Sequence, residues 1–319
     1  MAGFTVGELG EFALIEQITR DLATTPAVVV GPGDDCAVFR VDGNVAVSTD
    51  TMVADRHWKD TWSSPRDVGR KAVAAAVSDL EAMGARPIGL VVSLAVPSQL
   101  AADWVRDFTA GVRQECELAG ACLLGGDTSA SPLVVVTVTV FGDLQGRDPV
   151  TRAGARPGDV VAIKGRLGWA AAGLAVLNRG FRSPAAVVNA HRVPEPPYGQ
   201  GIVAAQAGAS AMIDVSDGLL ADLGHVARAS GVTIQVTTDS FDIAEPQRAV
   251  AGAIGGRDPL GFILTGGDDH ALAATFAPGD VPQGWRVIGN VVPGESIVLV
   301  DGAHWEGPQG WEHFSGGRA

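Results

Sequence analysis

Apolar residues recur along the chain either at helical spacing or in short continuous runs. Those at positions 14, 15, 18 and 22 predict a helix over 7–23 with one buried side. Pro65 begins another predicted helix, over 65–84, because proline is tolerated in a first turn. Further helices are predicted over 100–119, from the turn at Gly168 to Leu177, and from a cap at Ser216 or Asp217 to Gly231.

Runs rich in valine, isoleucine and threonine predict strands between these helices. They lie at 28–30, 88–96, 122–124, 133–141, 160–164, 212–214, 232–236, 262–264, 272–276 and 297–300. The segments 37–40 and 45–47 are predicted to pair as a hairpin around Asp42-Gly43-Asn44. Strands and helices mix in both halves, so the fold class is α+β or α/β.

The length of 319 residues favours two domains over one. The segment 142–157 is polar and rich in glycine, which makes it the predicted linker. We therefore expect a first domain over 1–145 and a second over 146–319.

The charge of the chain narrows the range of partners. Lys and Arg number 23 against 36 Asp and Glu, a net charge of −13, which argues against nucleic acid or an anionic membrane surface as a partner.

No apolar run is long enough to span a bilayer. The three cysteines lack zinc-site spacing, and residues 1–17 lack the features of a signal peptide. A cytoplasmic location is expected.

Carboxylates recur at turns and element ends, next to glycine or a hydroxyl. They are Asp34, Asp35, Asp50, Asp79, Asp127, Asp214, Asp217, Asp268 and Asp269. Any one of them alone could be an ordinary turn or cap residue. Gathered together they would repel, and divalent cations that bind a phosphorylated substrate would remove that repulsion. Asp79 lies near a helix C-terminus, where the helix dipole disfavours a carboxylate unless a cation is beside it.

The familiar phosphate-binding motifs are absent. No lysine follows a glycine, which excludes a P-loop, and there is no Gly-x-Gly-x-x-Gly segment. Gly125-Gly126-Asp127-Thr128 places backbone N–H groups beside a carboxylate, which suits a nucleoside triphosphate.

Six motifs together resemble the thiamine-monophosphate kinase family, part of the aminoimidazole-ribonucleotide-synthetase-like ATP-binding superfamily. The motifs begin at Gly33, Ser48, Val77, Gly125, Thr151 and Asp214, and the match is collinear over about 7–314. The resemblance implies ATP-dependent phosphorylation of thiamine monophosphate (TMP) to thiamine diphosphate. It also implies an N-terminal α+β domain, whose sheet pairs with a second subunit in a homodimer, and a C-terminal α/β domain.

The resemblance also assigns roles to individual residues. It implies several Mg²⁺ ions, with the ligands Asp35, Thr49, Asp50, Asp79, Asp127, Asp214 and Asp217 and the companions Asp34 and Ser48. The implied ATP contacts are Gly126, Asp127, Arg152 and Ser216, and the implied TMP contacts are His57, Asp268 and Trp311. One departure concerns the segment Gly267-Asp268-Asp269-His270-Ala271-Leu272, where the family usually has Gly-Glu-Asp-Tyr-Glu-Leu. Its first acid is kept but shortened, and its second glutamate is lost.

Other interpretations stay open at this point. His57 could pack against its neighbouring tryptophans, Trp311 could cover the core, and Arg152 could be a surface charge. The chain could be another superfamily enzyme, or a non-catalytic protein that binds metal or nucleotide. If it is the kinase, the acceptor phosphate is already ionised and needs no strong base. We therefore expect direct in-line transfer with no phospho-enzyme.

Overall fold

The computed structural model describes residues 4–20, 22–32, 36–256 and 258–311, and its contacts divide the chain into two units. The first unit comprises Met1–Leu80 and Ala85–Asp148, and the second comprises Glu81–Gly84 and Pro149–Ala319. The predicted Mg²⁺ ligands Asp34 and Asp35 lie outside the described residues.

The first unit combines helices with a mixed sheet. Its helices are α1 (Val6–Leu9), α2 (Glu11–Thr19), α3 (Pro65–Ala82, which ends in the second unit) and α4 (Ala102–Ala119). Its strands are β1 (Val28–Val30), β2 (Val38–Phe39), β3 (Val45–Val53), β4 (Arg86–Val96), β5 (Leu123–Ala130) and β6 (Val135–Asp143).

Four strands form the main sheet of this unit, in the order β3-β6-β4-β5. The pair β4 and β5 is parallel, and the other pairs are antiparallel. One face is buried, with Val136, Val138 and Val140 alternating along β6. The opposite face carries partly exposed threonines and valines. Helices α3 and α4 can cross closely because Gly69 and Gly111 have no side chain. A Cβ at either position would overlap the backbone of the other helix.

The predicted hairpin is wrong. Strand β2 pairs with β1, whereas β3 pairs along its nine residues with β6. A partner of matching length satisfies every ladder position of β3, which the two-residue β2 could not do. The predicted helix over 7–23 is also wrong as one element, because Gly10, at a φ of 80°, separates α1 from α2.

The second unit also combines helices with one sheet. Its helices are α5 (Trp169–Leu177), α6 (Ala185–Arg192), α7 (Gln200–Gln206), α8 (Leu219–Ser230), α9 (Glu245–Ala253) and α10 (Leu260–Thr265). Its strands are β7 (Val160–Lys164), β8 (Ala211–Val215), β9 (Thr233–Val236), β10 (Ala271–Phe276), β11 (Arg286–Val292) and β12 (Val298–Val300). The sheet order is β12-β9-β11-β7-β10-β8, and β12 and β9 run parallel.

Apolar side chains fill both faces of this sheet. Val161 and Ile163 of β7 belong to one buried cluster, and Ala162 between them belongs to another. The predicted strand at 262–264 is wrong, since these residues lie in α10. A run of three apolar residues does not distinguish a strand from a buried helix. No helix in the described part of the chain is long and apolar enough to cross a membrane.

Candidate active site

Strand β3 turns two of the predicted Mg²⁺ ligands towards the buried face of the first sheet. Ser48 and Asp50 alternate with exposed residues along the strand, and both are partly buried. The Ser48 hydroxyl donates a hydrogen bond of 2.5 Å to Oδ2 of Asp79. Asp79 lies near the C-terminal end of α3. The structure therefore brings Ser48 and Asp79 together, with Asp50 on the same face of β3.

The open face of this sheet carries two further predicted Mg²⁺ ligands, Thr49 and Asp127. The hydroxyls of Thr49 and Thr139 lie 3.0 Å apart across β3 and β6. Asp127 is exposed on β5 and pairs with Ser93. Strands β6 and β4 separate β3 from β5, so Asp50 and Asp127 lie about 14 Å apart along the sheet, on opposite faces. One ion cannot bind both carboxylates of the same chain.

The segment Gly125-Gly126-Asp127-Thr128 lies inside β5, not in a loop that follows a strand. The strand was expected to end at Leu124, but it continues to Ala130 alongside β4. A Cβ at Gly126 would overlap the carbonyl oxygen of Val92. Close approach of β4 is therefore one reason for a glycine at this position.

His57 lies in the turn after β3. Its Nδ1 accepts a 2.9 Å hydrogen bond from the Val53 N–H group, which leaves Nε2 as the protonated nitrogen. Trp58 beside it is buried, and the Lys59 ammonium lies 4.5 Å from the ring centroid of Trp62. Packing thus holds this turn in place, while the role of His57 towards TMP stays a prediction.

In the second unit, a loop at the end of β8 collects several of the predicted residues. Asp214 is buried at the end of the strand, where its Oδ2 lies 3.1 Å from Nδ1 of His270. Asp222, one turn into α8, accepts 3.1 Å hydrogen bonds from the N–H groups of Ser216, Asp217 and Gly218. The loop is therefore fixed by a carboxylate inside α8, not by a cap from Ser216 or Asp217.

Asp222 is a candidate site residue that sequence reasoning missed, and His270 was noted only as part of the segment that departs from the family pattern. Burial, followed by the negative charges of Asp214 and Asp217, raises the pKa of Asp222 to about 7 against the lowering effect of the backbone hydrogen bonds. The only sequence signal was the position of Asp222, four residues after Gly218, from which a carboxylate can turn back to loop N–H groups.

The segment before β10 is tied to the same loop by backbone hydrogen bonds. The Asp268 N–H group donates to the Ser216 carbonyl at 2.8 Å, and the His270 N–H group donates to the Val215 carbonyl at 3.0 Å. Both donors have positive φ angles, 71° at Asp268 and 52° at His270. Such strained backbone persists where its surroundings hold it, and it is common at binding sites.

Between these two residues, Asp269 has a structural role. Its carboxylate accepts hydrogen bonds of 3.1 and 2.9 Å from the N–H groups of Trp169 and Ala170, at the start of α5. Burial raises the pKa of Asp269 to about 7, although these backbone contacts lower it. Asp268 has instead a side chain that is 42% exposed, with Nδ1 of buried His191 3.7 Å from its Oδ2.

Trp311 reaches the same loop from the end of the described chain. Its N–H group donates to the Asp217 carbonyl at 2.9 Å, and a Cβ at the preceding Gly310 would crowd Asp217 and Ala221. The side chain of Trp311 is 61% exposed, so it does not cover the core. Asp217, Asp268 and Trp311 are therefore neighbours, although they are far apart in sequence.

Arg152 is exposed in the segment before β7. Its carbonyl accepts a 3.1 Å hydrogen bond from Ser230, whose hydroxyl also accepts from the N–H groups of Gly154 and Ala155. The end of α8 thereby fixes this segment, and the ATP contact of Arg152 stays a prediction.

The oxygen donors of the loop at the end of β8 fit a hard divalent cation. Within the described ranges, no three His, Cys, Asp or Glu side chains are already arranged around a common ion position. Burial is the main cause of the raised pKa of Asp222, and the charges of Asp214 and Asp217 add to it; a cation bound to Asp214 and Asp217 would reduce that added part.

Comparison with known families defines the class of protein. The AIR synthase related protein family matches in two parts, its N-terminal domain over residues 33–144 and its C-terminal domain over residues 156–302. The fold and these matches make the chain an AIR synthase-related protein of two domains, which confirms the expected fold class.

Individual relatives identify the branch of that class. The thiamine-monophosphate kinase of Mycobacterium tuberculosis is 46% identical over 311 residues, 97% of this chain and 93% of that protein. The crystal structure of thiamine-monophosphate kinase from Stenotrophomonas maltophilia is 32% identical, with a TM-score of 0.79 over 92% of this chain and 97% of that one. The structure of AaThiL complexed with AMPPCP and TMP is 29% identical, with a TM-score of 0.78 over 98% and 99%. The chain belongs to the thiamine-monophosphate kinase family, and it is a kinase that acts on a phosphate acceptor.

Proposed function

We propose that this chain transfers the γ-phosphoryl group of ATP to the phosphate of TMP. The observation that carries the proposal is the convergence of Ser216, Asp217, Asp268 and Trp311 on one loop of the second unit. Family membership and the AaThiL complex with AMPPCP and TMP support the same pair of substrates.

The second unit offers the chemistry that an acceptor such as TMP requires. The exposed indole of Trp311 presents a flat aromatic face, which attracts a cationic thiazolium ring. Asp268 presents a partly exposed carboxylate beside the same loop, suited to the positive or hydrogen-bond-donating groups of thiamine. His57 of the first unit is the proposed contact for the TMP phosphate.

The acceptor oxygen is ionised at neutral pH, so the chain needs no general base. Its task is to hold two phosphates in line against their mutual repulsion. Asp214 and Asp217 in the second unit, and Ser48, Asp50 and Asp79 in the first, are the proposed holders of Mg²⁺. Bound Mg²⁺ would neutralise charge on the phosphates. We propose several such ions and direct transfer.

We also propose a homodimer that forms through the sheet of the first unit. Its open face exposes Val47, Thr49 and Thr51 on β3 beside partly exposed residues of β6. A second copy covering this face would bury apolar and threonine side chains that a lone unit leaves in water. The three free cysteines fit a reducing compartment, and we propose the cytoplasm.

The test is formation of thiamine diphosphate by the purified chain from ATP, Mg²⁺ and TMP. We expect ADP and thiamine diphosphate in equal amounts, with no turnover when TMP is omitted or when EDTA exceeds Mg²⁺. ATP binding without turnover would favour a nucleotide-binding protein instead, and full activity in excess EDTA would exclude the metal-assisted mechanism.

A further inference from the structure

The exposed face of α8, the helix that follows the loop at the end of β8, carries a group of nitrogen donors. Nη2 of Arg228 lies 3.1 Å from Nδ1 of His225. Arg152 belongs to the segment that Ser230 fixes to the end of the same helix. The nitrogen cluster is defined here as Arg152, His225 and Arg228.

The hydrogen bond between His225 and Arg228 sets the direction of the histidine donor. A guanidinium group can only donate, so Nδ1 of His225 is the acceptor and Nε2 carries the proton. Partial burial lowers the pKa of His225, and the charges of Arg228 and Arg152 lower it further, whereas Asp217 raises it. His225 is thus a neutral N–H donor within electrostatic range of both arginines and of Asp217.

Among the described residues, no carboxylate forms an ion pair with an arginine of the cluster. In the described ranges, neither Arg152 nor Arg228 forms an ion pair, although the chain carries a net charge of −13. Arg228 lies in the last turn of α8, where a cation is favoured by the helix dipole. That explanation covers Arg228 alone. It does not explain why Arg152, from a separate segment, lies near the same histidine.

We propose that His225 and Arg228 join Arg152 in binding the phosphate groups of the nucleotide. The proposal rests on the proposed function and adds two residues to the ATP site. Guanidinium groups and a neutral imidazole N–H bind phosphate oxygens without competing for metal ions. The nucleotide is favoured over TMP because Arg152 of the cluster is itself a proposed ATP contact, and Asp217, within electrostatic range of His225, is next in sequence to the other, Ser216. The proposed TMP contacts are Asp268 and Trp311.

Steady-state kinetics of Arg228→Gln and His225→Ala test the proposal. The control is Arg248→Gln, because Arg248 is another exposed helical arginine of the second unit and forms no ion pair in the described ranges. We expect the KM for ATP to rise about tenfold in Arg228→Gln, the scale of one lost charged hydrogen bond, with the KM for TMP little changed. Arg228→Lys should recover part of this loss, and Arg248→Gln should match the wild type.

Titration with ADP in the absence of TMP supplies a second measurement, which does not depend on turnover. We expect Arg228→Gln and His225→Ala to weaken ADP binding. Their midpoint temperatures of unfolding should stay close to those of the wild type and of Arg248→Gln. Unchanged ADP binding, or a rise confined to the KM for TMP, would overturn the proposal. Either result could occur while the wild type still makes thiamine diphosphate, so failure here is distinguishable from failure of the proposed function.

Discussion

The two units treat their predicted metal ligands differently. In the second unit, Asp214 and Asp217 occupy the end of a strand and the loop after it, and backbone hydrogen bonds draw Asp268 and Trp311 to the same place. In the first unit, Asp79 lies in α3, and the other described ligands lie along strands, so those alternate between faces and occur at opposite edges of one sheet.

This contrast shows that residues adjacent in sequence need not lie in the same site when they belong to a strand. Ser48 and Thr49 are adjacent in the chain, yet Ser48 contacts Asp79 while Thr49 contacts Thr139 on the other face. Successive strand residues always point to opposite faces. A loop has no such alternation, and its carboxylates can converge. The second unit is therefore the more complete site within one chain.

The largest expected effect is on turnover in Asp214→Asn. Loss of this buried charge should lower kcat by at least about 100-fold, the scale seen when one group that stabilises transition-state charge is removed. Asp239→Asn, which changes an exposed aspartate of the same unit, is the control and should retain wild-type kcat. Folding is checked by circular dichroism. Turnover near that of the wild type in Asp214→Asn would remove this residue from the metal site.

A mixing experiment sharpens the comparison for the first unit. Asp50→Asn and Asp127→Asn chains should each be nearly inactive alone, because each proposed ligand is lost from both copies. If a site uses Asp50 from one chain and Asp127 from the other, unfolding and refolding the two variants together should restore activity well above either alone. If the refolded mixture contains mixed dimers and is still inactive, each chain uses its own Asp50 and Asp127.

A stability effect of intermediate size is expected at Asp269. Its pKa is about 7 in the folded chain, well above the ordinary aspartate value of 3.8, so the folded state binds the proton more tightly than the unfolded state. This contribution to the free energy of unfolding is complete below about pH 4 and is lost as pH rises through about 7. Relative to Asp269→Asn, the wild type should lose about 2 kcal/mol between pH 5 and pH 7. Urea unfolding at both pH values measures this difference, and parallel curves for the two proteins would contradict it.

The smallest expected effect concerns Trp311. Trp311→Ala should raise the KM for TMP about tenfold, the scale of one lost aromatic stack, and should leave the KM for ATP nearly unchanged. Trp104→Ala, in α4 of the first unit, serves to compare loss of another indole, and it should leave both KM values near those of the wild type. An equal rise in both KM values, or a lower melting temperature alone, would give Trp311 a structural role.

Local signals predicted the elements better than their pairing. Strand β7 has the predicted bounds, and α4 begins two residues later than expected, because continuous or periodic apolar runs determine both. The partner of β3 could not be predicted, since β6 lies far along the chain and pairing depends on contacts that one segment does not encode. The continuation of β5 through two glycines was missed for the same reason.

For the candidate site, the resemblance supplied residue identities and the structure supplied their neighbours. The sequence offered no local reason to join Asp217 with Trp311, because their contact is a single backbone hydrogen bond across a long stretch of chain. Asp222 was missed because a helical aspartate usually faces solvent, and only the fold shows it turned towards three N–H groups.

Glu81 limits how freely the two parts of the gene can be exchanged. It follows Leu80, the last residue of the first stretch of unit one, yet its buried carboxylate accepts hydrogen bonds of 2.7 and 2.8 Å from the N–H groups of Gly199 and Gly201. A recombination event at position 149 would bring in a second unit without its native residues 81–84. Glu81 and the two glycines that donate to it would therefore have to be inherited together. For this reason we expect the two units to evolve as a linked pair.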